Sequence, residues 1–265
     1  MKKETHYQAH TPDANGIIHY TDEENSIWKE LYARQIKGLP NHACDEFQQG
    51  LEDLSLAEDK IPQAHEVNAV LMERTGWSVA PVPALISFDR FFHMLANKQF
   101  PAASFIRSRD EFDYLREPDI FHELFGHATM LVHPAFADFV QAYGKAGVIA
   151  SKQNRVLLAR LFWFTVEFGL LKSPVGNRSY GGGINSSPGE LKYAINNHVA
   201  EHREFNILDV LRTPYRIDIY QPIYYVMNDL DHLYELASTD LSSLYTRARE
   251  LGDFEPTFPA KQAAS

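Results

Sequence analysis

The residues best equipped for chemistry in this sequence are His122-Glu-Leu-Phe-Gly-His127 and, forty residues on, Glu167. Imidazole nitrogens and carboxylate oxygens bind divalent metals without help from a thiolate. Cys44 is the one cysteine in 265 residues, so neither a thiolate cluster nor an intrachain disulfide can form. The two histidines stand one residue further apart than in H-E-x-x-H, where four residues turn a helix only ~40° out of register and stack both rings on one face for zinc. Five residues leave them ~140° apart. His122 and His127 can share one ion only if the first turn is loosened, with Gly126 letting the backbone adjust, and a zinc-protease reading is poor.

Glu167 sits in a stretch, residues 156–171, where Arg160 is the only other charge. A helix apolar on nearly every side is buried, and a buried carboxylate is costly unless paired or bound to metal. Arg160 lies seven residues back, roughly 10.5 Å along a helix axis and beyond direct pairing. On that helix Ala159, Trp163 and Glu167 form one stripe at i, i+4, i+8. Two histidines and one carboxylate make the facial triad of non-haem iron(II) oxygenases, which leaves coordination positions free for O₂ and water. Spacing alone also admits a plainer account, with a histidine capping a helix start and a core glutamate meeting a lysine elsewhere.

Other candidates are weaker. His198-Val-Ala-Glu-His202 has a metal-binding spacing on one helical face, but its surroundings are polar and a solvated face is favoured. Tyr180-Gly-Gly-Gly183 is too glycine-rich to be regular and lacks the Lys-Ser/Thr of a phosphate loop, which leaves a surface turn or a close backbone approach to a ligand. Arg107 and Arg109 could each bind a carboxylate. Spacing does not choose between them, and solvated surface charge is favoured for both.

These side chains must be positioned by a mainly α-helical, single-domain fold with a few short strands spanning residues 1–265, with polar ends at about 1–20 and 256–265. Thr21-Asp-Glu-Glu24 and Ser187-Pro-Gly-Glu190 are capping boxes. Helices are expected over about 65–74, 87–98, 119–131, 134–150 and 152–171. Extended chain is expected at 78–85, a short strand at 104–107, and irregular loop at 177–186. The composition, 45% hydrophobic and 12% aromatic, suits a globular chain with an aromatic pocket. A net charge of −10 argues against nucleic-acid or anionic-membrane surfaces. No signal segment and no span-length apolar run occurs, so a cytoplasmic protein is expected.

Taken together, Arg116-Glu-Pro-Asp-Ile-Phe-His-Glu-Leu-Phe-Gly-His127, Trp163-Phe-Thr-Val-Glu-Phe-Gly169, Tyr180-Gly-Gly-Gly183 and Tyr220-Gln-Pro-Ile-Tyr-Tyr225 resemble the pterin-dependent aromatic amino acid hydroxylases, in that family's order and from about residue 21 to 245. The chain is similar to the short bacterial members, which are essentially the catalytic domain, and a monomer is what that implies. The resemblance implies iron(II) held by His122, His127 and Glu167, and a tetrahydropterin held by Leu85, Ile86, Ser87, Phe91, Glu123, Ala159 and Phe162. It implies substrate contacts at Arg107, Leu115, Pro118, Trp163, Gly183 and Ser186, with Arg107, rather than Arg109, pairing with the substrate α-carboxylate. The implied reaction converts L-phenylalanine to L-tyrosine with O₂. Three positions depart from the family pattern. Leu115 stands for a threonine of animal members, Phe162 for the usual tyrosine beside the metal, and Pro188 for a phenylalanine. Trp163, where the tryptophan enzymes carry phenylalanine, and Ile217, where the tyrosine enzymes carry aspartate, both favour phenylalanine as substrate.

Overall fold

Thr21 opens the first helix with both halves of its capping box. The Glu24 amide donates to Thr21 Oγ1 at 3.2 Å, and the Thr21 amide donates to the Glu24 carboxylate at 2.7 Å. Helix α1 (Asp22–Ile36) then buries Ile27, Trp28 and Leu31. The computed structural model describes residues 7–83, 86–113, 117–195 and 199–259. Leu85, Leu115 and His198 lie outside the described residues. The remaining helices are α2 (Asp45–Leu54), α3 (Ala64–Arg74), α4 (Phe88–Ala96), α5 (Pro134–Ile149), α6 (Lys152–Phe162), α7 (Gly182–Asn185), α8 (Pro188–Ile195), α9 (Ile207–Arg212), α10 (His232–Ser238) and α11 (Leu241–Leu251). None of the described helices is long and apolar enough to cross a membrane.

Strands are short and form two sheets. β1 (Ser78–Val82) pairs in parallel with β2 (Gln99–Ala103), Ser78 opposite Gln99 and Val82 opposite Ala103. The second sheet has the order β4-β3-β6-β5, from β3 (Leu170–Leu171), β4 (Arg178–Ser179), β5 (Glu201–Glu204) and β6 (Ile223–Met227). β6 is buried along its whole length, as a strand with parallel partners on both edges should be. The core between helices and sheets is strongly aromatic. Phe121 and Phe125 stack with centroids 4.8 Å apart, and Tyr32 meets Phe125 edge-on at 5.5 Å.

Four expectations are corrected. The strand lies at 99–103 instead of 104–107, because β1 ends at Val82 and its carbonyl takes the last bond, from the Ser104 amide at 2.9 Å. The helix expected over 152–171 stops being α-helical at Phe162 and continues as a π-helical stretch, Trp163–Glu167, before β3. Residues 177–186 are more than loop, since they hold β4 and α7, with Tyr180 and Ser179 fully buried. Residues 201–204 are a strand, so the supposed helical face of His202 does not exist. That ring is tied to Ala194 O at 2.7 Å and to the Asn177 side-chain Nδ2 at 2.8 Å.

The described part of the carboxyl end is anchored. Arg160 forks onto the Asp253 carboxylate, both contacts at 2.6 Å. The Arg212 guanidinium lies over the Phe254 ring at 4.0 Å, and Arg216 Nη1 donates to Pro259 O at 2.9 Å. Arg160 thus finds its partner far from Glu167, as its distance along the helix requires.

The second capping box is half built. Ser187 Oγ accepts from the Glu190 amide at 3.3 Å, but the Glu190 side chain turns inward. It accepts from the Tyr224 hydroxyl and from the Gln221 amide. Burial raises its pKa to about 7, against those two hydrogen bonds, which lower it. A carboxyl whose folded pKa lies above its free value of 4.5 is held more tightly as the acid in the folded chain, so folding stability falls as pH rises from 4.5 towards 7 and is level above that. Glu190→Gln is therefore expected to be roughly 1–3 kcal/mol more stable than the parent at pH 8, with the gap closing towards pH 5. Urea midpoints at both pH values check this, and a gap independent of pH would count against it.

Candidate active site

Residues 122–127 form a π-helical stretch, His122–Ala128, and that resolves their spacing. A π turn closes through i→i+5 bonds, so residues five apart return to one face, and such turns concentrate at functional sites. His122 Nε2 and His127 Nε2 stand 3.0 Å apart. The second π-helical stretch, Trp163–Glu167, delivers Glu167 to the same point, with Oε1 at 3.2 Å from His127 Nε2 and Oε2 at 3.7 Å from His122 Nε2. The straight stripe of Ala159, Trp163 and Glu167 does not survive, because widening the last turn aims the carboxylate away from its α-helical direction.

Gly126 acts differently from the sequence-based expectation. A Cβ there would fall 2.7 Å from Gly182 O, and a Cβ on Gly182 would fall 2.4 Å from His127 Nδ1. The two glycines let α7 lie directly against the π-helical segment. Gly182→Ala is expected to push the His127 ring aside, cutting iron content and costing about 1–3 kcal/mol of stability. Metal analysis and thermal unfolding check it, and full iron content at an unchanged Tm would refute it.

Hydrogen bonds prepare the rings. Ser186 Oγ donates to Gly182 O at 2.8 Å, so its lone pair is left to accept from His122 Nδ1–H at 2.9 Å. That fixes the proton on Nδ1 and leaves Nε2 facing His127 and Glu167. His127 Nδ1 has no hydrogen-bond partner among the described residues. Burial disfavours charge on both rings. At His122 the Glu167 carboxylate outweighs it, with smaller help from Glu123 and Asp119, and lifts the pKa to about 9. At His127 burial prevails and the pKa is lowered. Burial works against the Glu167 carboxylate as well, but His127 and His122 overcome it and hold its pKa far below the usual range. A positive charge at the meeting point of the three groups is strongly favoured. Burial, supported by Glu167 and Asp119 and opposed by His122, raises Glu123 to about 8. Glu123 also lies within 4.8 Å of both histidines in ligand-atom distance, but Glu167 stands closer to them.

Arg107 and Arg109 separate cleanly. Arg109 is a surface residue bound to Glu23, Glu30 and Ser26 on α1. Arg107 is only 4% exposed, against the surface-charge expectation. Its Nε and Nη2 donate to the two oxygens of Asp119 at 2.8 and 3.0 Å. Asp119, fully buried, also accepts from the amides of Arg107 and His122, each at 3.0 Å. One carboxylate therefore ties the arginine to the start of the histidine segment. Pro118, half-buried, precedes it.

Around this centre lie two aromatic groups. Trp163 stacks on Tyr215 at 4.4 Å and leans on Phe168 at 4.5 Å. Gly183 passes so close to Glu167 that a Cβ would fall 2.8 Å from Oε2. On the other side Phe162 meets Phe91 edge-on at 5.6 Å and lies 6.3 Å from the His127 ring. Ser87 caps α4 by accepting from the Arg90 amide at 3.3 Å, with Ile86 half-buried before it. Ala159 lines an open cleft of about 640 Å³ with Phe88, Asp89, Arg155, Val156 and Tyr215.

Comparison with known proteins decides the family. Residues 3–243 match the biopterin-dependent aromatic amino acid hydroxylase family. The chain belongs to the biopterin-dependent aromatic amino acid hydroxylases. A curated relative, the phenylalanine-4-hydroxylase of Pseudomonas aeruginosa, is 52% identical over 99% of this chain and 100% of its own. Among solved structures, the apo cold-active phenylalanine hydroxylase of Colwellia psychrerythraea 34H superposes with a TM-score of 0.94 at 52% identity, covering 97% of this chain and 100% of that one. The phenylalanine hydroxylase of Chromobacterium violaceum, solved with bound oxidised Fe(III), gives 0.87 at 40% identity, covering 95% of this chain and 94% of that one. As a biopterin-dependent hydroxylase this chain has the mainly α-helical fold with few strands of those structures.

In the sequence of this family member Asp119, Gly182 and Gln221 stand inside the family motifs without an individual role, and Tyr215 stands in none. Asp119 followed a proline at a helix start, where an acid is accounted for by capping alone. The signal was there in Arg107, an arginine flanked by apolar residues that needs a carboxylate if buried. Nothing local marks Gly182 among three consecutive glycines, or Gln221 in its turn.

Proposed function

We propose that His122, His127 and Glu167 hold one iron(II) ion in an enzyme that converts L-phenylalanine to L-tyrosine with O₂ and a tetrahydropterin. The observation that carries this is the convergence of three ligand groups: the two imidazole nitrogens are 3.0 Å apart, Glu167 Oε1 is 3.2 Å from that of His127 and Oε2 is 3.7 Å from that of His122. Atoms each ~2.1 Å from one ion and at right angles to one another lie about 3.0 Å apart. The donor set, two nitrogens and one carboxylate on one side, suits iron(II) with open positions opposite.

The chemistry that iron(II) and a tetrahydropterin supply, once bound, is reduction of O₂ with one oxygen atom going to the substrate ring and the other to the pterin. The chain's own residues bind and orient. Arg107, locked by Asp119 on two nitrogens, receives the α-carboxylate of the substrate and fixes its distance from the histidines. Trp163 and Pro118 wall the substrate ring, and Gly183 and Ser186 close the loop over it. Phe91 offers its face to the pterin, with Ile86, Ser87, Ala159 and Phe162 around the cofactor. Glu123, beside His122, is placed to hydrogen-bond the pterin through its carboxyl.

The test is direct. Iron-loaded protein given phenylalanine, tetrahydropterin and O₂ should yield para-tyrosine by chromatography, and zinc-loaded protein should not. Pterin oxidation without tyrosine would point to another aromatic amino acid as substrate. Neither product from folded, iron-loaded protein would overturn the proposal. The chain is further proposed to act as a monomer in the cytoplasm, a reading supported by its similarity to short bacterial members, and sedimentation as a dimer would contradict the first part.

A further inference from the structure

Trp163 is fixed at its face by Tyr215 and at its edge by a single side chain. Its Nε1–H donates to Gln221 Oε1 at 3.0 Å. Gln221 is 2% exposed, and its amide nitrogen donates to Arg216 O and Ile219 O, both at 2.9 Å. Only one orientation of the carboxamide fits, since an indole only donates and carbonyls only accept. The same residue thus grips the indole with one end and the 216–219 turn with the other. That turn follows Tyr215, which supplies the stacking face. Asparagine is a methylene too short to span both, a carboxylate has no donor for the carbonyls, and an ammonium has no acceptor for the indole. The backbone N–H of Gln221 donates in turn to Glu190 Oε1 at 3.4 Å, just before β6.

We propose that Gln221 is a positioning residue for the aromatic pocket: it sets the plane of Trp163 and locks that plane to the 215–219 segment, and so governs how tightly phenylalanine is held. This rests on the reading of Trp163 as the wall of the substrate ring. An aromatic wall free to tilt still packs, but no longer presents one surface, so the loss falls on substrate binding ahead of the chemical step.

The experiment compares Gln221→Met, Trp163→Phe and the double variant in the iron-loaded full chain. Methionine keeps the length and removes both tethers. Gln221→Met should raise KM for phenylalanine roughly tenfold, with kcat changed by less than about threefold. KM for the pterin should not move, and tyrosine formed per pterin oxidised should fall. In the Trp163→Phe background the same change should add less than about twofold, because the group it positions is gone. Equal effects in both backgrounds, or an unchanged KM in Gln221→Met beside a raised KM in Trp163→Phe, would overturn the proposal. An unchanged KM in Trp163→Phe itself would sink the wall reading, and the proposal with it, without reference to any Gln221 variant. Should Gln221→Met not fold, the indole N–H signal of the parent protein decides, identified by its loss in Trp163→Phe. Slow exchange with water supports the tether, and exchange as fast as in a free indole overturns it.

Discussion

Glu167→Gln is expected to give a folded protein that makes no detectable tyrosine and binds iron(II) more weakly by well over the ~10–100-fold lost with an outer-shell partner. The amide keeps the size and one neutral oxygen donor but removes the charge that the two imidazoles face at 3.2 and 3.7 Å. A second readout needs no metal. The raised pKa of His122, about 9, exists because Glu167 outweighs burial. With the carboxylate gone, burial acts with little opposition, and the NMR titration of His122 in ion-free protein should move down towards or below its ordinary 6.5. Glu123→Gln is the control, expected to retain iron while pterin binding weakens. The reverse pattern, iron kept by Glu167→Gln and lost by Glu123→Gln, would show that the ligand had been assigned to the wrong carboxylate.

Asp119→Ala should be the most destabilising substitution near the site, and Asp119→Asn the more informative. Alanine leaves the Arg107 guanidinium buried without its partner, a change that costs about 3–5 kcal/mol. It also orphans the amides of Arg107 and His122. Burial pushes the Asp119 pKa up, but Arg107 and the amide hydrogen bonds prevail and hold it below 3.8. With a depressed folded pKa, the stabilisation is complete above pH 3.8 and is lost only as acid approaches the lower folded value. The parent should therefore show no loss from this group between pH 5 and 8, and the deficit of Asp119→Ala should be constant over that span. Asparagine preserves shape and can accept from one arm of the guanidinium only. Its expected signature is a KM for phenylalanine raised about 10–100-fold, as loss of a charged hydrogen bond at ~1.5–3 kcal/mol implies, with KM for the pterin little changed. Denaturant midpoints and steady-state kinetics measure both. Destabilisation without any change in KM would reduce Asp119 to a structural role.

The amino-acid sequence determined the chemistry of this protein more completely than its geometry. One cysteine and two histidines beside a glutamate limited any metal to nitrogen and oxygen ligands. The apolar run around Glu167 required that carboxylate to find a positive partner, because desolvation forbids leaving it alone. Helical content and the first capping box followed from local hydrogen bonding and periodicity, which act within a few residues. What only the tertiary structure decided depends on contacts between segments far apart in the chain. His122 and His127 share a face because the helix there widens to a π turn, and Gly126 in that turn lies directly against Gly182, a contact that no local pattern encodes. Arg107 rather than Arg109 is the buried guanidinium because Asp119 sits across from it and Glu23 and Glu30 sit across from the other. Gln221, part of a family motif but with no role legible there, stands 58 residues from the indole it holds. A side chain's partners at such separations are set by the path of the whole fold, and that path is fixed by burial summed over the entire core, which short-range spacing cannot report.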